Sequence, residues 1–281
     1  MKLFFRNLAK PLAMLAGISM PLLPAQAQQS PSPYQTSFKK DGLITLGLAG
    51  VNTAGLLLIR SKTGLSQAEV LALRQSDVNG FDRFSAGWYD ENARTISDYI
   101  FAGSLVGTPL FLGLNQDTRA RAGQVAGLYL QTMATAGAVF TMTAGTVYRQ
   151  RPLSYSTKAT ITERRRQNAT NSFFAGHTAT TAAATFFAAK VYHDFHPDSR
   201  ARPYVWAVAA AIPATVGYYR LKAGKHFLSD NLLGYTVGAA AGILVPHLHK
   251  TRGNGSTSLL PIQGLTPNGA SYGGLLLTHQ L

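Results

Sequence analysis

Arg220, His226 and Asp230 stand in series within the stretch YRLKAGKHFLSDNLLGY. At i and i+4, His226 and Asp230 share one face of a helix, where the carboxylate can hold one ring nitrogen and leave the other free as a nucleophile. Arg220 adds the planar fork of donors that fits phosphate oxygens. A His and an Asp one turn apart are by themselves more often a surface pair than a catalytic one, so the reading turns on what accompanies them. Two further stretches do. YRQRP (148–152) places Arg151 where Pro152 stops helical continuation, with Arg149 close by. NSFFAGHT (171–178) opens a helix, where Gly176 lets the backbone N–H groups approach an anion and His177 lies at the same point.

The elements that must position these blocks are helices. The chain has 281 residues, a formal charge of +14, only 14% charged residues and 46% hydrophobic ones, a membrane-like balance with basic punctuation. No aromatic-and-basic recognition motif points to nucleic acid. The absence of cysteine excludes disulfides, a thiolate nucleophile and cysteine-ligated metal. Residues 1–27 carry Lys2, Arg6 and Lys10, then an apolar run, then Ala25-Gln26-Ala27, the three-part form of a signal peptide. A polar linker covers 28–41. A helical domain follows over 42–250, with apolar segments at 42–59, 96–114, 122–145, 175–192, 203–219 and 232–246, each near the ~20 residues that cross a bilayer. Their Gly, Ala, Ser and Thr content suits close packing in lipid. The expected fold is therefore all-α, a bundle of about six helices embedded in a membrane, with a tail over 251–281 whose two short apolar pieces suggest a β-hairpin. The run Arg164-Arg165-Arg166 reads as a solvated or headgroup-facing patch. If successive helices are antiparallel neighbours, the loops carrying the three blocks emerge on one side. They bring together two arginines, an amide-lined anion site and two histidines, a phosphoryl-transfer inventory without a metal.

The blocks resemble the three-part signature of the type 2 phosphatidic acid phosphatase superfamily, which reads K-x6-R-P, P-S-G-H and S-R-x5-H-x3-D. Arg151-Pro152, Gly176-His177 and Arg220-x5-His226-x3-Asp230 match in order. Ala144 replaces the lysine, Phe174-Ala175 replace Pro-Ser, and Tyr219 replaces the serine before the arginine. The resemblance implies that His226 attacks phosphorus to form a phosphohistidine, that Asp230 holds its tautomer, and that His177 is the acid and then the base. It implies that Arg151, Arg220 and the Gly176 N–H hold the phosphate oxygens without a cofactor, and Arg149 is the charge available to replace the lost lysine. The substrate expected is a phosphorylated membrane lipid, cleaved as a phosphomonoester or pyrophosphate by an inner-membrane protein whose site faces the periplasm. Two other readings stay open: a soluble periplasmic acid phosphatase for small phosphomonoesters, and a non-catalytic protein that binds lipid phosphates with a decayed site.

Overall fold

Each of the six apolar segments forms a helix in the computed structural model, which describes residues 32–251, 257–265 and 271–279. The expected leader, 1–27, lies outside the described residues. Ser37 opens α1 (Phe38–Ser61) by accepting from the Lys40 N–H, and a capping box from Ser66 and Glu69 opens the short α2 (Gln67–Ala72). α3 (Glu91–Leu114) starts ahead of its apolar stretch because Asp90 accepts from the Ala93 N–H and draws the polar turn into the helix. That early start places Arg94 and Asp98 on a rigid element. α4 (Gln116–Ala120) and α5 (Ala122–Thr146) follow, then α6 (Ile161–Arg165), capped by Thr160 and Glu163. α7 (Gly176–Phe195), α8 (Arg202–Lys222) and α9 (Leu228–Leu248) complete the α-helices of the described residues. In the tail, β1 (Thr257–Leu265) pairs antiparallel with β2 (Ser271–His279), Leu259 opposite Leu277, as the hairpin expectation required.

Small residues let the helix backbones close on one another. α7 carries ATTAAATFFAA, and α9 presents Gly234, Gly238 and Gly242 to it at four-residue spacing. A Cβ on Gly238 would stand 2.0 Å from the Ala179 carbonyl oxygen, so no larger residue fits without moving a backbone. α1 lies on α5 in the same manner, where a Cβ on Gly55 would stand 2.5 Å from Thr141 Oγ1. The core beside these contacts is correspondingly small, with Ala136, Ala183 and Ala241 packed together.

Among the described residues, α1, α3, α5 and α9 are long and apolar enough to cross a membrane; α7 and α8, expected to do the same, are not among these four. α1 exposes Leu43, Leu46 and Leu57, an aliphatic face that water would disfavour and lipid would accept. α1 also runs the height of the bundle. At its start the Gln35 N–H donates to the His249 carbonyl beyond α9, and at its end Lys62 Nζ donates to the carbonyls of Ala144 and Val147 at the close of α5.

Candidate active site

The end of the bundle that holds Lys62 also holds all three blocks. Arg149 N–H donates to Thr170, Arg151 N–H to Ala169 and Ser172 N–H back to Arg149, lacing the first block to the start of the second. Leu153 N–H donates to Gly224, and Ala175 N–H donates to the carbonyl of Asp230, which binds both to the third. Gly224 has φ +65°, and a Cβ there would stand 1.9 Å from the Trp88 carbonyl oxygen. Only glycine meets both demands, and this turn presents Lys225 and His226.

His226 is 2% exposed. Its Nδ1 lies 2.6 Å from the Ser172 carbonyl, which can only accept, so Nδ1 carries the proton and Nε2 keeps its lone pair. Burial, then Arg151 and Arg220, hold the imidazole well below its ordinary pKa. The ring is neutral at neutral pH, the state a nucleophile needs.

Asp230 does not fulfil its expected role on that ring. α9 begins at Leu228, so His226 precedes the helix and the shared i, i+4 face never forms. Asp230 instead accepts from the Phe227 N–H at 2.9 Å, from Ser172 Oγ at 2.6 Å and from Arg149. It acts one step removed, holding Ser172, whose carbonyl holds the histidine. Ser172 was not singled out from the sequence; its place at the head of the NSFFAGHT block was the available signal.

Two adjoining cavities open above His226. The inner one, about 260 Å³, is lined by Gly176, Arg151, His177, Arg220 and His226, with Phe101 and Phe140 as walls. The outer one, about 300 Å³, shares Arg151, His177 and Arg220 and adds Arg94, Arg166 and Lys225, with Asp98 and Glu163 as its acids. Arg220 is 5% exposed and donates from Nη1 to Asp98 at 3.0 Å. Its Nε and that of Arg151 are buried and have no hydrogen-bond partner among the described residues. Buried guanidinium donors left unpaired favour an arriving anion. Burial and Arg220 bring Arg151 down to about 9, and burial and Arg151 bring Lys225 down to about 8. His177 Nε2 lies 3.3 Å from Asp98 Oδ1 and its ring packs on Phe101; burial, then Arg220, bring the imidazole down to about 4 against the opposing pull of Asp98. Asp98, Lys225, Arg94 and Arg166 were not predicted; their signal, charged residues within one or two turns of the motifs, is too common to act on.

Arg149 is the clear departure. It lines neither cavity, because its two terminal nitrogens are committed to Asp230 and to Asp82, the latter at 2.6 Å. Asp82 is 1% exposed and also accepts from the N–H and hydroxyl of Ser229 at the start of α9. The place of the motif lysine is filled structurally: Ala144 is buried, and Lys62 reaches its carbonyl from another helix. The triple arginine is not uniformly solvated either. Arg164 donates to the carbonyls of Ser154 and Val70, Arg165 donates to that of Leu65, and Arg166 faces the outer cavity.

A helical bundle with a buried histidine beside two guanidiniums suits phosphate chemistry. Residues 126–254 match the family model described as the PAP2 superfamily, which bears out the resemblance drawn from the three blocks on the segment that contains them. Among solved structures, one similar chain is "Crystal structure of the first transmembrane PAP2 type phosphatidylglycerolphosphate phosphatase from Bacillus subtilis". It is 19% identical over 75% of this chain and 92% of that one, with a TM-score of 0.38. No curated protein sequence matches the chain.

Proposed function

We propose that the chain hydrolyses phosphate groups of membrane lipids through a phosphohistidine on His226. The observation that carries this is His226 itself, neutral and fixed in one tautomer, facing a cavity in which two buried guanidiniums have unpaired Nε donors. Nε2 attacks phosphorus while Arg151, Arg220 and the Gly176 N–H take the equatorial oxygens. His177, neutral in the free site, takes up a proton from solvent as the phosphate brings negative charge beside it, gives that proton to the leaving oxygen and then takes one from the water that cleaves the intermediate. Side chains thus supply every charge and every proton transfer. A lipid is favoured over a small phosphomonoester by the four apolar helices and by an apolar groove of about 600 Å³ between α3, α7 and α8, which begins at Ile100, beside the cavity wall Phe101.

The height spanned by α1 ties the orientation of the site to the leader. If α1 crosses the bilayer, a leader cleaved after Ala27 leaves residues 32–37 outside and turns the site to the cytoplasm. On that condition a cleaved leader and a periplasmic site do not occur together; a periplasmic site requires that α1 stay out of the bilayer or that the leader be retained. With no native cysteine, single cysteines at Asp198 (far end) and Lys158 (site end) report the orientation through their reaction with an impermeant thiol reagent.

The function is tested by phosphate release from a panel of lipid and soluble phosphates in detergent, comparing the wild type with His226→Ala, and by acid-labile label on His226 after brief exposure to labelled substrate. Release that His226→Ala leaves unchanged, or none from any substrate, would favour a phosphate-binding protein without catalysis.

A further inference from the structure

The connection between α1 and α3, residues 62–90, is turned inside out for a loop in water. Asp82 is buried, whereas Phe81 beside it and Phe84 two residues on are 59% and 52% exposed. Leu71 on α2 and Trp88 are exposed as well, and the Phe84 and Trp88 rings meet edge-on at 5.7 Å. The polar groups of the loop are spent inward. Asp82 accepts from Ser229 and Arg149, Gly87 N–H donates to the Pro152 carbonyl, and Arg83 turns its guanidinium back onto the carbonyls of Val78 and Ser76. What the loop offers outward is therefore mainly apolar and aromatic. Water opposes such a surface; the headgroup layer of a bilayer, where aromatic rings collect, accepts it.

The height of the loop agrees. α3 begins at Glu91, three residues after Trp88; α9 begins at Leu228, beside the Ser229 that bonds Asp82; and α5 ends at Thr146, three residues before Arg149, the other partner of Asp82. All three helices are long and apolar enough to cross a membrane, so the loop lies at the rim of the apolar layer they define. Arg164 donates to the Val70 carbonyl on α2, which brings the exposed Arg165 and Arg166 to the same rim, where cations complement lipid phosphates. We infer that Leu71, Phe81, Phe84 and Trp88 form a membrane-docking surface whose partner is the headgroup layer of the bilayer. Through Asp82, which ties the loop to Arg149 in the first block and to Ser229 after the third, this contact sets the depth at which the histidine site meets lipid phosphates. The surface lies outside residues 126–254, the segment that matches the family model. Docking stands without the phosphatase reading; only its effect on turnover rests on that reading.

The sequence holds two tryptophans, Trp88 and Trp206, so Trp206→Phe leaves Trp88 as the sole indole. The full chain with that substitution is reconstituted in vesicles of phosphatidylcholine and phosphatidylglycerol, with iodide on both faces as the aqueous quencher. Lipid brominated high on its acyl chains should lower Trp88 emission at least twofold. Adding Phe81→Ser and Phe84→Ser should halve that quenching and raise the iodide quenching constant at least twofold. Trp88 quenched by iodide and untouched by brominated lipid overturns the docking surface, and this result needs no substitution in the loop. Phe84→Cys, in a chain without native cysteine, reports the rival occupant: a disulfide-linked dimer together with Trp88 untouched by brominated lipid assigns the surface to a second copy instead. In turnover, the Phe81→Ser, Phe84→Ser variant should raise KM for phosphatidic acid in vesicles at least fivefold and keep kcat/KM for a soluble aryl phosphate within twofold. Equal loss on both substrates refutes the depth effect. Absence of all turnover while brominated lipid still quenches Trp88 sinks the catalytic reading and leaves the docking surface standing.

Discussion

Replacing Arg149 by methionine separates a structural guanidinium from one that grips substrate. The side chain neutralises two buried carboxylates, Asp82 and Asp230, at 1% and 0% side-chain exposure, and is itself 21% exposed. Removing one partner of a buried ion pair costs about 3–5 kcal/mol. Here Asp82 keeps its bonds from Ser229 and Asn79, and Asp230 keeps those from Ser172 and Phe227. With solvent reaching the arginine, the low end applies, about 3 kcal/mol. For a chain of this size that corresponds to a fall in Tm of roughly 6–12 °C. Thermal unfolding followed by circular dichroism in detergent measures it, and Asp82→Asn on the Arg149→Met background should recover part of the loss by removing one stranded charge. An unchanged Tm accompanied by a raised KM for phosphate substrates would refute this account and return Arg149 to the phosphate.

Three further outcomes follow from the geometry. Lys225, brought to about 8 by burial and by Arg151, with Arg94, Arg220 and Glu91 also facing it, is cationic below that pH and loses its charge above it. The kcat/KM for a phosphorylated lipid should decline above pH ~8, and Lys225→Arg should move that limb upward; a limb that stays in place shows another group titrating. Gly238→Val pushes α9 from the Ala179 carbonyl, at about 1–3 kcal/mol of overpacking, and should lower kcat more than tenfold because α7 carries His177 and α9 follows directly on the turn that presents His226; rates within twofold of wild type would show that the contact is slack. Asp82 is held below its ordinary 3.8: burial raises it, but hydrogen bonds from Ser229, Asn79 and Arg149 outweigh that. Because the folded value is the lower one, its stabilisation is present above pH 3.8 and is lost as pH falls below it. Asp82→Asn should flatten the acid end of the stability curve, and an unchanged slope there would count against the assignment.

The six helices and the three blocks were readable because apolar length and motif spacing are properties of contiguous residues. His177, Arg151, Arg220 and Gly176 meet His226 as the alternation of helices required. What misled was local geometry at one boundary. Four-residue spacing puts His226 and Asp230 on a common face only if both are helical, and α9 starts two residues too late for that. The contacts of Arg149 could not be foreseen, since Asp82 lies 67 positions away in a loop whose sequence, DVNGFDRF, carries no mark of burial. Ser172 escaped for a related reason: its main-chain carbonyl does the positioning, and a carbonyl leaves no trace in residue type.

The seating of α9 has a bearing on when the molecule becomes competent. Ser229 reaches back to Asp82, Asp230 to Ser172 and Arg149, and Gly234, Gly238 and Gly242 to the backbone of α7, so each tie to the last helix joins it to a segment made much earlier. During synthesis those partners emerge first, and Asp82 and Arg149 wait without the bonds that Ser229 and Asp230 bring. His226 acquires its fixed tautomer only when the stretch from Ala223 onward has been made and α9 has docked, so in the proposed reaction a nascent chain halted before that point holds arginines able to attract phosphate but no histidine able to take it.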